Sequence, residues 1–509
     1  MRQNGHEKRG FPILILAVLI IGPFILIEFW MFQQLSDDSS QPAIGLPPQR
    51  MRKATVVDGS RGVSVASQTG AQQLASVRAR EAARRNTRKK VGGAAPIPPL
   101  TEPGEDTFIV VELSAFRDGE RCGRTIFRAL DQASIPSRLN FSVLQARSEQ
   151  DVGCVDVFKT TYLPRLCGPG GRLTEDQPSR TECETRVLSR VNAWTISLQA
   201  GKGPAHQRGV AGELLRYTGA DTMCLSMDSH MHFKKGWDVI MIADWASTRN
   251  EFAVLTAYPA DVGAFNENFA VDLCGYLLEN GIPRGRQGHN VYGIDPRKTA
   301  PFLTMNWAAG LSFHRCHMER IVPVDRYLRW IFTGEEIDRA VRAFTHGYDL
   351  YLPTNIAVLH EYAHAGQAFH QFGSALESRR GEHAARRRLF DLLSSSQPGS
   401  EDASDSDSGP LGEYGLGSQR TLQDYVTWSH VNLGGKWKDF LRSHHLHETP
   451  SDGFCNRLDR MPVADEPAML DAIKSVSRDP RWSSPVIKDQ RGDAVIKGEP
   501  PDVRPRQVL

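Results

Sequence analysis

Asp228 and His230 stand two residues apart at the end of the apolar run Met223-Cys224-Leu225-Ser226-Met227. That run reads as a buried strand, and residues i and i+2 of a strand project from one side. A carboxylate and an imidazole then point together from the strand's C-terminal end, where open α/β sheets bind ligands. A hard divalent cation that clamps a diphosphate needs such donors, with positions left open for phosphate oxygens. Ser229, between the two, is grouped with Asp228 as a donor contact. The competing reading is a turn opened by Asp228 and Ser229, with His230 a satisfied polar residue.

The elements that must position this pair follow from periodicity. Residues 107–113 form the first clear strand. Residues 125–133 read as a helix with Ile126, Leu130 and Ala133 on one face, and 141–145 as the next strand. Strand, helix, strand opens an α/β sheet, and the loop after its first strand is a natural nucleotide contact. Arg117 in that loop is a candidate for the diphosphate; pairing with Asp118 or another acid is the alternative. A short strand follows at 194–198, a helix at 208–218 carrying Arg208, and a further helix after Gly236-Trp237-Asp238.

The 509 residues carry a formal net charge of +2, which gives no global case for nucleic-acid binding. Residues 11–32 are nearly all apolar and long enough to span about 30 Å of hydrocarbon. Arg2, Lys8 and Arg9 precede them and Asp37 and Asp38 follow, which places a short N-terminus (1–10) in the cytoplasm; a cleaved signal peptide is the alternative, though its apolar region is normally shorter. The expected address is therefore a single-pass type II protein of the Golgi or another secretory-pathway membrane. Residues 33–105 read as a flexible stem rich in Ser, Gln, Ala, Gly and Pro. Residues 106–438 form the catalytic domain, with an acidic flexible insertion at 394–410, and 439–509 a peripheral tail. Arg379, Arg380, Arg386, Arg387 and Arg388 read as a solvated helix face. Eight cysteines lie beyond the apolar segment; in an oxidising compartment some should pair, in an order the sequence does not give.

Several motifs occur in order: Phe116-Arg117-Asp118, Gly203-Pro204 with Arg208, Asp228-Ser229-His230-Met231, Gly236-Trp237-Asp238, Phe332-Thr333-Gly334-Glu335-Glu336-Ile337, Thr345-His346-Gly347-Tyr348-Asp349, His360-Glu361-Tyr362, Tyr414-Gly415-Leu416-Gly417 and Arg420-Thr421-Leu422. Together they resemble glycosyltransferase family 60, N-acetylglucosaminyltransferases acting on hydroxyproline or on Ser/Thr of proteins. The resemblance implies a GT-A fold, a divalent metal (usually manganese) and transfer from UDP-N-acetylglucosamine with retention. It also implies Asp228, His230 and His360 as metal ligands, with Glu335 and Glu336 near sugar and acceptor.

The chemistry is consistent with those roles. A nucleoside diphosphate leaves only when its developing charge is neutralised, by a cation and by guanidinium groups such as Arg117 or Arg208. An oxocarbenium-like transition state wants carboxylates nearby: Glu335, Glu336 or Asp349. Two rival readings remain at this stage. His360-Glu361-Tyr362-Ala363-His364 is an HExxH pattern, which on a helix would hold zinc for peptide hydrolysis. The other is an inactive lumenal sugar-binding module.

Overall fold

The computed structural model describes residues 93–479 apart from 174–178, 218, 220, 267–272, 280, 287–299, 356, 363–372, 395–410, 432, 434–444, 449–454, 456 and 457. The expected N-terminal tail and apolar segment, most of the stem and the acidic insertion from 395 onward lie outside the described residues. Among the described residues, no helix is long and apolar enough to cross a membrane.

The chain runs through β1 (Ile109–Phe116), α1 (Gly119–Gln132), β2 (Leu139–Ala146), β3 (Val191–Ile196), α2 (Pro204–Leu214), β4 (Met223–Asp228), β5 (Met231–Phe233), α3 (Trp237–Thr248), β6 (Ala253–Thr256) and β7 (Ala260–Asp261). It continues through β8 (Gly275–Glu279), β9 (Ile282–Arg286), β10 (Phe302–Leu303), β11 (Leu311–Arg315), α4 (Glu335–Thr345), β12 (Asp349–Leu352), β13 (Val358–His360), α5 (Ala375–Ser394), α6 (Leu422–Ser429), β14 (His445–Glu448) and α7 (Glu466–Arg478). The central sheet has the order β10-β12-β6-β11-β4-β1-β2-β3. Strands β3, β2, β1 and β4 are mutually parallel, and β11 runs antiparallel between β4 and β6.

Interior parallel strands are covered on both faces, which is why β1 is apolar almost throughout. Ile109, Val110, Val111, Leu113 and Ala115 are all buried. Helix α1 covers one face with Cys122, Ile126, Ala129 and Leu130, a spacing that keeps all four on one side of a helix. Helix α3 adds Trp237 and Trp245, whose indole N–H groups donate to the Ala129 and Ala253 carbonyls at 2.9 Å. The predicted mixed α/β order from the first strand onward is therefore the observed one.

A second, three-stranded sheet has the order β5-β13-β7. In it His360 pairs with Met231 of β5 and with Asp261 of β7. This small sheet carries the chain's late histidine back to the end of β4, more than a hundred residues upstream in sequence.

Three sequence expectations are corrected here. Asp349 does not join the sheet end that carries Asp228. It pairs in register with Ala253, at the level of the Arg315–Met223 pairing, five residues below Asp228 on β4. At about 3.3 Å per residue this is roughly 16 Å along the strand. Its carboxylate is held by Arg420 at 2.8 Å, Arg460 at 2.6 Å and the Asn250 amide at 2.7 Å. Second, the arginines of α5 are not all solvated. Arg388 is buried, pairs with Asp325 at 2.5 Å and stacks over Tyr327 and Tyr414.

Third, packing extends past both expected limits of the catalytic domain, 106 and 438. Ile97 is buried beside Phe252, Trp307 and Tyr348, together with Met469 and Ile473 of α7. The Arg315 guanidinium donates to the Thr101 carbonyl. Residues 93–105 thus pack on the body, and so does much of the segment expected to be peripheral. Strand β14 pairs with β8, and Cys455 is bonded to Cys274. The other cysteine pairs are Cys122–Cys154, Cys167–Cys183 and Cys224–Cys316, so all eight cysteines are used.

Removing one partner from a buried ion network leaves the others uncompensated, at a cost of about 3–5 kcal/mol. Asp349→Ala should lower unfolding stability by that order in denaturant titration; a shift within 1 kcal/mol would restore Asp349 to the list of site candidates. A chain beginning at residue 106 should unfold at a lower temperature than one beginning at residue 93. Equal midpoints would mean that the 93–105 packing contributes nothing.

Candidate active site

Asp228 ends β4, so its carboxylate leaves the sheet at the C-terminal edge, level with Ser114 of β1. His230 follows in the turn to β5, and β13 delivers His360 alongside. One ligand atom from each of the three residues lies within 4.8 Å of the others. The two imidazoles meet edge to face with centroids 4.5 Å apart, and His360 Nε2 lies 3.2 Å from Asp228 Oδ2. Metal–ligand bonds of about 2.0–2.6 Å place the ligands of one ion up to about 5 Å apart. The set therefore fits a divalent cation. The His360 Nδ1 atom is buried without a hydrogen-bond partner.

The rest of the cluster is a chain of charges. Arg208 of α2 donates to Asp228 Oδ1 at 2.6 Å and to Glu335 Oε2 at 2.7 Å. Burial opposes ionisation of Asp228, but His360 and the Arg208 guanidinium outweigh it and hold its carboxyl well below the usual carboxylate range. Glu335 is 3% exposed, and its Oε1 has no hydrogen-bond partner. Burial raises its carboxyl, against the pull of Arg208. Glu336 accepts from the Tyr258 hydroxyl and, at 3.1 Å, from the Ala309 N–H. Burial pushes this carboxyl up to about 7, the hydrogen bonds from Tyr258 and Ala309 pulling the other way. Both glutamates open α4 after Gly334, whose φ of +129° belongs to backbone that glycine tolerates.

The structure thus brings together Asp228, His230, His360, Arg208, Glu335 and Glu336. Ser229 is buried, and its hydroxyl donates to Asp118 Oδ2 at 3.1 Å. Arg117 is bound to Asp151 at 2.8 Å, the acid pairing that stood as its alternative. Asp349 lies at the other end of the sheet. Sequence reasoning passed over Asp118, whose Oδ2 is 2.8 Å from His230 Nδ1, and Tyr258, the partner of Glu336. Asp118 sat inside a quoted motif, and a strand-end Asp-x-His that lacks a carboxylate for the outer imidazole nitrogen was the signal that could have found it.

The HExxH reading requires residues 360–364 on one helix. His360 instead ends a strand, and Glu361 is tied to Arg124 at 2.8 Å and to His232 at 3.2 Å. His364 lies outside the described residues. The geometry supports a cation-assisted site at a sheet edge and leaves Glu361 in a separate cluster of charges.

An α/β sheet with an acidic, metal-competent edge defines the class of protein. The family model described as Glycosyltransferase (GlcNAc) matches residues 108–434, and the chain belongs to that family. Among curated proteins nothing matches. Many solved structures are similar to it, among them the following three. One is GalNAc-T7 with UDP, GalNAc and Mn2+, at 11% identity over 63% of this chain and 56% of that chain, TM-score 0.38. Another is the mannosyltransferase PcManGT from Pyrobaculum calidifontis in complex with GDP-Man and Mn2+, at 12% identity over 63% of this chain and 74% of that chain, TM-score 0.29. The third is S. aureus TarS 1-349 in complex with UDP-GlcNAc, at 11% identity over 57% of this chain and 67% of that chain, TM-score 0.32. The chain spans a little over half the length of the first.

A carboxyl with a raised native value binds its proton more tightly folded than unfolded. Its stabilising contribution is full at low pH and is lost as pH rises from the unfolded value, about 4.3, to the folded value. Relative to the permanently neutral Glu336→Gln, the wild type should lose stability between pH 4.5 and 7 and hold a constant difference above that. Denaturant titrations across this range check it; a difference independent of pH would show that Glu336 is not held protonated.

Proposed function

We propose that the chain is a retaining, divalent-metal-dependent transferase that moves N-acetylglucosamine from UDP-N-acetylglucosamine to hydroxyl groups of Ser, Thr or hydroxyproline in proteins. Within glycosyltransferases we assign it to family 60, whose ordered motifs it resembles. The observation that carries the reading is the convergence of Asp228, His230 and His360 at the carboxyl end of β4, inside the segment matched to the GlcNAc glycosyltransferase family.

Asp228, His230 and His360 would hold the cation, and manganese suits a mixed carboxylate and imidazole set that shares its ion with phosphate oxygens. When bound, the cation neutralises charge on the diphosphate as a Lewis acid. Arg208 keeps Asp228 ionised and aimed, and adds a fixed positive charge beside the leaving group. Glu335 brings a buried carboxylate with one unbonded oxygen, suited to a sugar whose anomeric carbon becomes positive. Glu336 and Tyr258 fix the start of α4 behind it.

We place the enzyme in a secretory-pathway membrane, as a type II protein with its catalytic domain in the lumen. The apolar 11–32 segment with its basic flank supports this, and so do four disulfides, which persist in oxidising compartments.

The test uses the purified full chain, stripped of metal and given a panel of UDP-sugars with and without Mn2+. The expected result is Mn2+-dependent UDP release from UDP-N-acetylglucosamine, stimulated by Ser/Thr/Pro-rich peptides. Asp228→Ala should reduce it by at least about a hundredfold, the order at which loss of a charge-stabilising group is felt. His360→Ala should reduce it strongly and His364→Ala little. No release from any donor would leave the inactive-module reading. Zinc-dependent cleavage of the peptides, lost equally in both histidine variants, would move the chemistry to the HExxH segment.

A further inference from the structure

The turn between β1 and α1 breaks two local rules at once. Arg117 is not glycine, yet its φ is +55°, a left-handed conformation uncommon for such a residue. Asp118 occupies the N-cap of α1, where an aspartate normally accepts from the backbone N–H two or three residues on. Here the side chain makes no capping hydrogen bond. Its Oδ1 accepts from Arg121 Nε at 2.6 Å, and its Oδ2 faces His230 Nδ1 at 2.8 Å and accepts from the Ser229 hydroxyl at 3.1 Å. Arg117 anchors the bend through its ion pair with Asp151 and through its N–H, which donates to the Ala146 carbonyl at 2.9 Å.

A local rule broken in a folded protein is expected at functional sites, where the surroundings hold what the backbone alone would not choose. The side chain diverted from the helix end is aimed at Nδ1 of His230. A carboxylate accepts, so Nδ1 donates and the lone pair is left on Nε2, the nitrogen free to ligate. Arg121 locks the first oxygen, so the carboxylate does not rotate away.

We propose that Asp118 is a positioning residue for the candidate metal centre: it fixes the tautomer and ring orientation of His230, and the strained turn at Arg117 exists to aim it. This rests on the metal-site reading of Asp228, His230 and His360. Outer partners of this kind are worth about 10- to 100-fold in metal affinity.

The discriminating variant is Asp118→Ser. The Asp118 side chain makes no capping hydrogen bond, so serine, itself a favoured N-cap residue, takes no cap away from α1, but its side chain is too short to reach His230. Mn2+ binding to the purified full chain is followed by calorimetry and by the electron paramagnetic resonance signal of free Mn2+, for the wild type, Asp118→Ser and Asp228→Ala. The expected result is a dissociation constant raised 10- to 100-fold in Asp118→Ser with the thermal midpoint kept, and binding abolished in Asp228→Ala. UDP release by Asp118→Ser should recover as Mn2+ is raised, a split between metal affinity and turnover that a purely structural residue would not give. Binding within twofold of wild type in Asp118→Ser, with Asp228→Ala abolished, would overturn the role of Asp118 and spare the metal site. Wild-type binding in both variants would overturn the metal site and the role of Asp118 with it.

Discussion

The Arg208 guanidinium is the constraint on which the site depends. It lies between Asp228 at the end of β4 and Glu335 at the start of α4, 2.6 and 2.7 Å from the two carboxylates. Two acids brought this close would repel each other, and the desolvated one would take up a proton. One buried cation lets Asp228 stay ionised beside a second carboxylate, and it ties the consecutive elements α2 and β4 to α4, more than a hundred residues further on. Helix α4 is then fastened along its whole length by charge. Below Glu335, Arg339 pairs with Glu319 at 2.7 Å, and Arg342, paired with Asp338 of the same helix at 3.0 Å, donates to the Pro323 carbonyl at 2.8 Å. Buried pairs of this kind add little net stability, but losing a partner is costly, so the register of the helix is narrowly fixed. What that register fixes is the distance from Glu335 to the end of β4.

How much of this was legible in the sequence depends on the range of the signal. The approach to Asp228 and the i, i+2 placement of His230 are local, and the apolar run with its polar end announced them. The strands and helices of the first half were readable for the same reason. Which end of a strand a carboxylate occupies is also local in principle. Asp349 misled because it belongs to a motif whose neighbours, Gly347 and Tyr348, look like a turn at a site. Only the register with Ala253 reveals that it begins its strand and Asp228 ends its own. Arg388 was read as solvated because five arginines on one helix suggest a wet face. Its partner, Asp325, lies 63 residues away, and no spacing rule reaches that far.

The HExxH pattern shows the same limit from the other side. Its chemistry is attached to a helix, and the residues alone do not exclude one. What excludes it for His360 is pairing: the backbone of β13 is shared with β5 on one side and β7 on the other, so His360 is presented from a strand. Glu361, the next residue, then faces away from His360, which is how it comes to sit with Arg124 and His232. A tertiary contact decided the local conformation, and the local conformation decided which neighbour of His360 takes part in the site.

Groups left unsatisfied in a buried place need a reason, since each costs about 1–3 kcal/mol. Three of them, Arg208 Nε, Glu335 Oε1 and His360 Nδ1, belong to this one cluster. The same cluster holds a carboxyl kept ionised against burial, that of Asp228, and one pushed up to about 7, that of Glu336. A folded core has no use for such an arrangement, because apolar residues of the same volume would be at least as stable. A site for a charged ligand does: donors and acceptors fixed in advance cost no reorganisation when charge develops beside them.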